Sequence, residues 1–186
     1  MPFTKTNIPD LLVFEPAVYG DDRGYFFESY NKQNFVREDV KLDFVQDNQA
    51  RSVYGVVRGL HFQLAPHAQT KLIRALQGSI LDVVVDLRQN SPAYGKVFSI
   101  ELSAQNKKQL LVPKGFAHGY SVLSETAEVF YKCDDFYYKE LEGGLAFNDP
   151  VLQIDWKVPA DKMILSAKDT QQPGLGECDH NFVYKD

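Results

Sequence analysis

Leu72–Leu87 reads "LIRALQGSILDVVVDL". Two apolar runs, each too short for a typical globular helix and the second rich in valine, meet at Gln77-Gly78-Ser79. Runs of this length punctuated by glycine read as β-strands, and the three-residue break predicts a hairpin. The same texture extends in both directions. "YGKVFSIELS", "QLLVP", "GYSVLS" and "AEVFYKCDDFYY" follow it, and "LLVFEPAVYGDDRGYFFESY" precedes it with two runs around "GDDRG". Helical periodicity is confined to "YNKQNFVRED", which predicts one short helix, and "PADKMILSAKD", which predicts a turn or two. Many short strands with Gly and Pro between them predict an all-β fold, a jelly-roll barrel of the double-stranded β-helix type with a few short helices.

The 186 residues suit one well-cored domain, so 1–186 is expected to form a single unit with a C-terminal tail from about residue 170. Hydrophobic residues make up 44% and charged residues 24%, as in ordinary soluble proteins. A net charge of −5 offers no basic surface for nucleic acid or an anionic membrane, though a few arginines in a cleft still suffice for a phosphate. Cys133 and Cys178 lack C-x-x-C spacing and are too few for a disulfide framework, so reduced thiols are expected. "MPFTKTNIPDLLVFEP" lacks the apolar core of a signal peptide, and a cytoplasmic location is expected.

Within this apolar texture a few polar residues stand out. In "VVRGLHFQ", Val56–Gln63, alternation places His61 and Gln63 on one face and Leu60 and Phe62 on the other. Strict alternation would set Arg58 opposite His61, but Gly59 between them is where a bulge would re-aim one of the two. Two readings stand side by side: a satisfied core histidine beside an edge arginine, or a polar pair in a pocket. His118, between Gly115 and Gly119 in "PKGFAHGY", falls where a strand is expected to meet a loop, and reads either as a turn histidine with a backbone partner or as a pocket histidine. His67 and His180 fall in polar segments and are read as solvated. Lys71, Ile73 and Ala75 share a face, as do Val129, Tyr131 and Cys133, which sets a lysine and a phenol in apolar surroundings. Asp82 lies between Ile80 and Val84 on one face, where a carboxylate needs a partner. Histidine-bearing barrels often hold a metal through a His-x-His pair. Here Gln63 stands in the second position and no acid follows closely, so no metal is expected.

Taken together, "RGYFFESYN", "FVQDNQARS", "RGLHFQ", "KLIRALQGSILDVVVDLR", "SPAYGK", "LSAQNKKQLLVPKGFAHGYSVLSE", "EVFYKCDDFYY", "EGGLAFND" and "LSAKD" resemble the dTDP-4-dehydrorhamnose 3,5-epimerases, in the family's order from about Ile8 to Asp169. The resemblance implies a metal-independent, cofactor-free homodimeric isomerase of the cupin-like class. It would convert dTDP-4-dehydro-6-deoxy-D-glucose to dTDP-4-dehydro-L-rhamnose by inverting C3 and C5 through an enolate. It implies His61 as base, Asp169 as its carboxylate partner, Lys71 as the cation beside the C4 oxygen, and Tyr131 as the acid on the opposite face. It also implies that Arg23 and Arg58 contact the diphosphate, and that Glu28, Gln46, Asp47 and Asn48 bind the nucleotide. Phe26 and Tyr137 would wall the thymine. His118 would contact sugar or phosphate with Asp82 behind it, and Gln63, Glu142 and Lys168 would complete the binding set. An enzyme inverting C3 alone in a related dTDP-deoxysugar pathway is the alternative, because it needs the same base and acid.

Overall fold

A computed structural model describes residues 3–185; Met1, Pro2 and Asp186, at the ends of the expected domain, lie outside it. The chain runs through β1 (Phe3–Lys5), β2 (Leu12–Phe14), β3 (Tyr19–Asp21), β4 (Gly24–Phe26), α1 (Lys32–Arg37), β5 (Gln46–Val53) and β6 (Val57–Gln63). It continues through β7 (Lys71–Gln77), β8 (Ser79–Asp86), β9 (Val97–Ser103), β10 (Gln109–Val112), β11 (Phe116–Val122), β12 (Thr126–Cys133) and β13 (Glu142–Gly144). Two antiparallel sheets, β1-β2-β10-β7-β12-β5 and β13-β6-β11-β8-β9, form the walls of a jelly-roll barrel, and β3-β4 stands apart as a two-stranded ribbon. The all-β expectation holds, as does the short helix, which Asn31 caps by accepting the Gln33 N–H. "PADKMILSAKD" yields only 3-10 turns, at Ala160–Lys162 and Asp169–Gln171.

The hairpin expected at Gln77-Gly78-Ser79 is not formed. Both runs are strands, but β7 pairs with β10 and β12 while β8 pairs with β11 and β9, so the chain crosses from one wall to the other at this point. Gly78 turns that corner with φ +69°, and a Cβ there would lie 2.1 Å from the Thr126 carbonyl oxygen. A glycine break signals a turn; it does not say whether the two strands will pair.

Three apolar clusters hold the barrel. Ile73, Ile80, Val84, Leu110, Tyr120, Val122 and Val129 fill the space between the walls. Val57, Leu60, Phe62, Val83 and Val85 project outward from the β6/β8 wall beneath the C-terminal segment, against Leu145, Leu152, Trp156 and Phe182. Leu72 and Leu111 face outward from the other wall onto Phe14 and Phe35. Each wall is therefore apolar on both faces, which frees the mouth of the barrel for polar side chains without loss of core. The C-terminal segment is packed, with Phe182 buried and Val183 bridging to Gln89. Among the described residues no helix is long and apolar enough to cross a membrane.

Candidate active site

On β6 and β11 the ladder pairs His118 with His61 and Tyr120 with Arg58, so Gly59 and Leu60 together oppose the single Gly119. This is the bulge that Gly59 predicted, and it turns Arg58 to the same face as His61. Glycine is required there: φ is +109°, and a Cβ would meet the Gly119 Cα and the His118 carbonyl oxygen at 2.7 Å. Leu60 and Phe62 point outward into the apolar layer, as alternation requires.

The inward residues of both walls meet in a cavity of about 320 Å³ lined by Gln46, Asn48, His61, Gln63, Lys71, Tyr131, Tyr137 and Glu142, with Phe62 and Gln69 at its edge. His61 comes from the β6 wall and Tyr131 from the β12 wall, so imidazole and phenol enter from opposite sides. Lys71 sits 5.9 Å above the Tyr131 ring, and its ladder partner on β12 is Cys133. A larger cleft, about 710 Å³ between the N-terminal segment and the loop after α1, carries none of these groups.

His61 is held by Asp169, whose Oδ1 lies 2.6 Å from Nε2. An acceptor there fixes the ring proton on Nε2 and leaves the Nδ1 lone pair free. Asp169 is buried, and its other oxygen accepts from the Ser166 hydroxyl at 2.7 Å, while the Asp169 N–H donates back to Ser166. Sequence reading missed Ser166; a serine three residues before the aspartate was the signal. Burial pushes the His61 pKa below the ordinary imidazole value, with the charge and hydrogen bond of Asp169 pulling against it. The ring is therefore neutral at neutral pH and fit to accept a proton. Burial also raises Tyr131 to about 12, so the phenol keeps its proton, and lowers Lys71 below the usual lysine range.

Deeper in the barrel, Asp82 is fully buried and both its oxygens lie 3.0 Å from Nε2 of His118, the partner its position demanded. At the mouth, Glu142 accepts from the Tyr137 hydroxyl at 2.8 Å and pairs with Lys168 at 2.5 Å. Burial pulls the Glu142 carboxyl upward, but its bonds to Lys168 and Tyr137 outweigh this and hold it below the usual range. The amide of Gln63 is engaged by backbone: it donates to the carbonyls of His67 and Phe136 and accepts from the Tyr138 N–H at 2.7 Å. It therefore ties the Phe136–Tyr138 segment to β6 while it lines the cavity with its amide already engaged. His67 and His180 differ from the solvated reading: both are half-buried, the first stacked on Tyr138 at 4.1 Å and the second against Phe182.

Arg23, Phe26, Glu28 and Asp47 lie apart from this cavity, and Arg58, exposed on β6, does not line it. Arg23 and Phe26 sit on the exposed β3-β4 ribbon, where the Arg23 side chain is 90% exposed and pairs with Asp21. Glu28 is exposed and accepts from Asn31 and Asn34 at the start of α1. Asp47 points away from Gln46 and Asn48, as alternation dictates, and pairs with Lys132 at 2.8 Å. Among the described residues no three His, Cys, Asp or Glu side chains gather as a metal-ligand set.

A sequence model of the family described as dTDP-4-dehydrorhamnose 3,5-epimerase matches residues 5–177. The chain belongs to that family. The dTDP-4-dehydrorhamnose 3,5-epimerase of Shigella flexneri is 48% identical over 97% of this chain and 99% of its own. The crystal structure of the enzyme of that name from Elizabethkingia anophelis superposes with a TM-score of 0.90 at 53% identity, covering 94% of this chain and 96% of that one. That of the dTDP-6-deoxy-D-glucose-3,5-epimerase of Legionella pneumophila, in complex with dTDP-4-keto-L-rhamnose, superposes with a TM-score of 0.91 at 42% identity, covering 95% and 94%. The 3,5-epimerase family thus accounts for nearly the whole length of the chain.

Proposed function

We propose that this enzyme inverts C3 and C5 of dTDP-4-dehydro-6-deoxy-D-glucose, giving dTDP-4-dehydro-L-rhamnose for dTDP-L-rhamnose biosynthesis. The observation that carries the reading is the entry of a neutral imidazole and a protonated phenol into one cavity from opposite walls, with a lysine beside the phenol. Both C3 and C5 adjoin the C4 ketone, so loss of either hydrogen forms an enolate. His61 takes the proton through Nδ1, Asp169 stabilises the imidazolium, and Lys71 faces the charge growing on the C4 oxygen. Tyr131 then delivers a proton to the other face, and inversion results. Each inversion leaves His61 protonated and Tyr131 ionised, so both must reset before the second carbon reacts. Arg58 holds the diphosphate, His118 with Asp82 contacts the substrate deeper in the barrel, and Gln46, Asn48, Tyr137, Glu142 and Lys168 frame the mouth. Free thiols at Cys133 and Cys178 suit a reducing compartment, and we place the enzyme in the cytoplasm. Proton NMR of the product, with both inverted centres resolved, tests the reading; inversion at C3 alone would make it a monoepimerase.

The pH dependence follows from the signs. Activity requires neutral His61, whose pKa is lowered, so the acid limb of kcat/KM is expected below the ordinary histidine range. Asp169→Asn removes the charge that does most to raise this pKa, leaving the smaller contribution of Glu142. The variant's acid limb moves to still lower pH while kcat drops by about a hundredfold or more. Lys71 must carry charge and its pKa is also lowered, so the alkaline limb falls before the ordinary lysine range, well ahead of Tyr131. A pH-rate profile of both proteins checks all three limbs.

The β3-β4 ribbon supports a homodimer. Tyr19, Tyr25 and Phe26 are more than 60% exposed on a two-stranded ribbon that pairs with neither wall. In the proposed dimer the ribbon brings Arg23 and Phe26, with Glu28 at its base, to the partner's cavity. If so, His61→Asn and Arg23→Ala chains mixed after separate inactivation regain activity. Random pairing leaves one intact site in half of the dimers, about a quarter of wild-type activity. Kinetics of the refolded mixture against each parent provides the check.

A further inference from the structure

The bulge that turns Arg58 inward also sets its side chain beside two residues that sequence reading passed over. Arg58 Nε donates to the Ser52 hydroxyl oxygen at 3.2 Å, and Ser52 is buried on β5 with only 7% of its surface exposed. Ser52 shares its strand face with Gln46 and Asn48, two residues that line the cavity. Across the β6–β11 ladder, Tyr120 stands directly opposite Arg58, and Asp82 is its partner on β8. Its ring packs in the barrel core, and its hydroxyl, closed off from solvent, has the Ser52 hydroxyl within reach but makes no well-formed hydrogen bond. Ser52 and Arg58 are the neighbours that favour its ionised form, against a larger upward push from burial. A buried hydroxyl left without a partner costs free energy, so this one calls for an account.

We infer that Ser52 and Tyr120 form a buried seat that sets the plane of the Arg58 guanidinium. Neither residue touches the reacting atoms; both are positioning residues. Holding an arginine by Nε fixes the fork while leaving both terminal nitrogens for a two-pronged contact. Among the described residues no carboxylate pairs with Arg58 and only its Nε is engaged, so those nitrogens are available for an anionic ligand. The Tyr120 phenol supplies the back of the seat. With the fork held in this plane to grip an oxyanion, the phenol stands behind the Ser52 hydroxyl and backs its hold on Nε. The inference rests on the reading of Arg58 as the arginine that contacts the diphosphate.

The test is a double-mutant cycle on the full-length protein, with binding read by calorimetry using dTDP and turnover read with the dTDP-sugar. Ser52→Ala is expected to raise both KM and the dTDP Kd about five- to tenfold with kcat within about twofold, and Ser52→Thr to restore both. Tyr120→Phe is expected to shift Kd in the same direction by a smaller factor. In an Arg58→Ala background Ser52→Ala should add nothing, because the group it positions is gone. Additive effects of Ser52→Ala and Arg58→Ala, or unchanged Kd in both Ser52→Ala and Tyr120→Phe, overturn the seat. Arg58→Ala that binds dTDP like wild type instead overturns the reading of Arg58 itself, a separate result. Should Ser52→Ala fail to fold, the cycle runs with Tyr120→Phe alone, and additivity decides as before.

Discussion

His61→Asn is expected to lower kcat by about ten-thousandfold while the Kd for dTDP stays within about threefold of wild type. The asymmetry follows from where the ring sits. His61 is on the β6 wall with one nitrogen committed to Asp169 and the other free toward the cavity, so its work is on the sugar carbon and not on the nucleotide. The buried Asp169 carboxylate keeps the Ser166 hydroxyl as a partner, while the asparagine amide is smaller than the imidazole and reaches only about as far as Nδ1. The amide cannot accept a proton at neutral pH. Calorimetry with dTDP and a coupled turnover assay separate the two quantities. A variant that loses binding and turnover in equal measure would make His61 a binding residue.

Tyr131→Phe is expected to show a different pattern, and this distinguishes acid from base. Proton removal by His61 remains possible, but delivery to the opposite face is lost. The imidazolium then returns hydrogen to the face it came from. Epimerisation should fall by about a thousandfold, while exchange of sugar hydrogen with solvent falls by less than about tenfold. The label would enter the substrate with its configuration retained. The phenol's pKa, raised to about 12 chiefly by burial, is what keeps its proton in place until the enolate needs it. Mass spectrometry of recovered substrate, beside NMR of the product, reads both rates. Equal loss of exchange and inversion would remove the acid role from Tyr131.

Much of this site was legible before any coordinates, and the part that was not has a common cause. Alternation gave the faces of Lys71, Tyr131, Asp82, His61 and Gln63, because successive side chains of a strand point to opposite faces of its sheet. Gly59 gave the bulge, since a glycine inside a strand that must carry two inward polar residues has few other uses. Alternation through Gln46-Asp47-Asn48 likewise sets Asp47 on the face opposite its two neighbours. What sequence could not give was distance between elements. Gly78 marked a turn, yet only the arrangement of two walls decides that its strands part company. Arg23, Phe26 and Glu28 were expected in the site from the resemblance alone, but they sit on or just beyond a ribbon that lies away from the cavity of its own chain. Ser166 and Ser52 escaped notice because a serine supporting a charged neighbour has no spacing of its own until the fold brings the two within hydrogen-bond reach.

Deuterium placement tests the paired base and acid most directly. Wild-type protein run on dTDP-4-dehydro-6-deoxy-D-glucose in heavy water should give a product carrying deuterium at both C3 and C5, each inverted, and His61→Asn should give no label at either carbon. Label confined to C3, or exchange that persists without the imidazole, would contradict the two-carbon mechanism centred on His61.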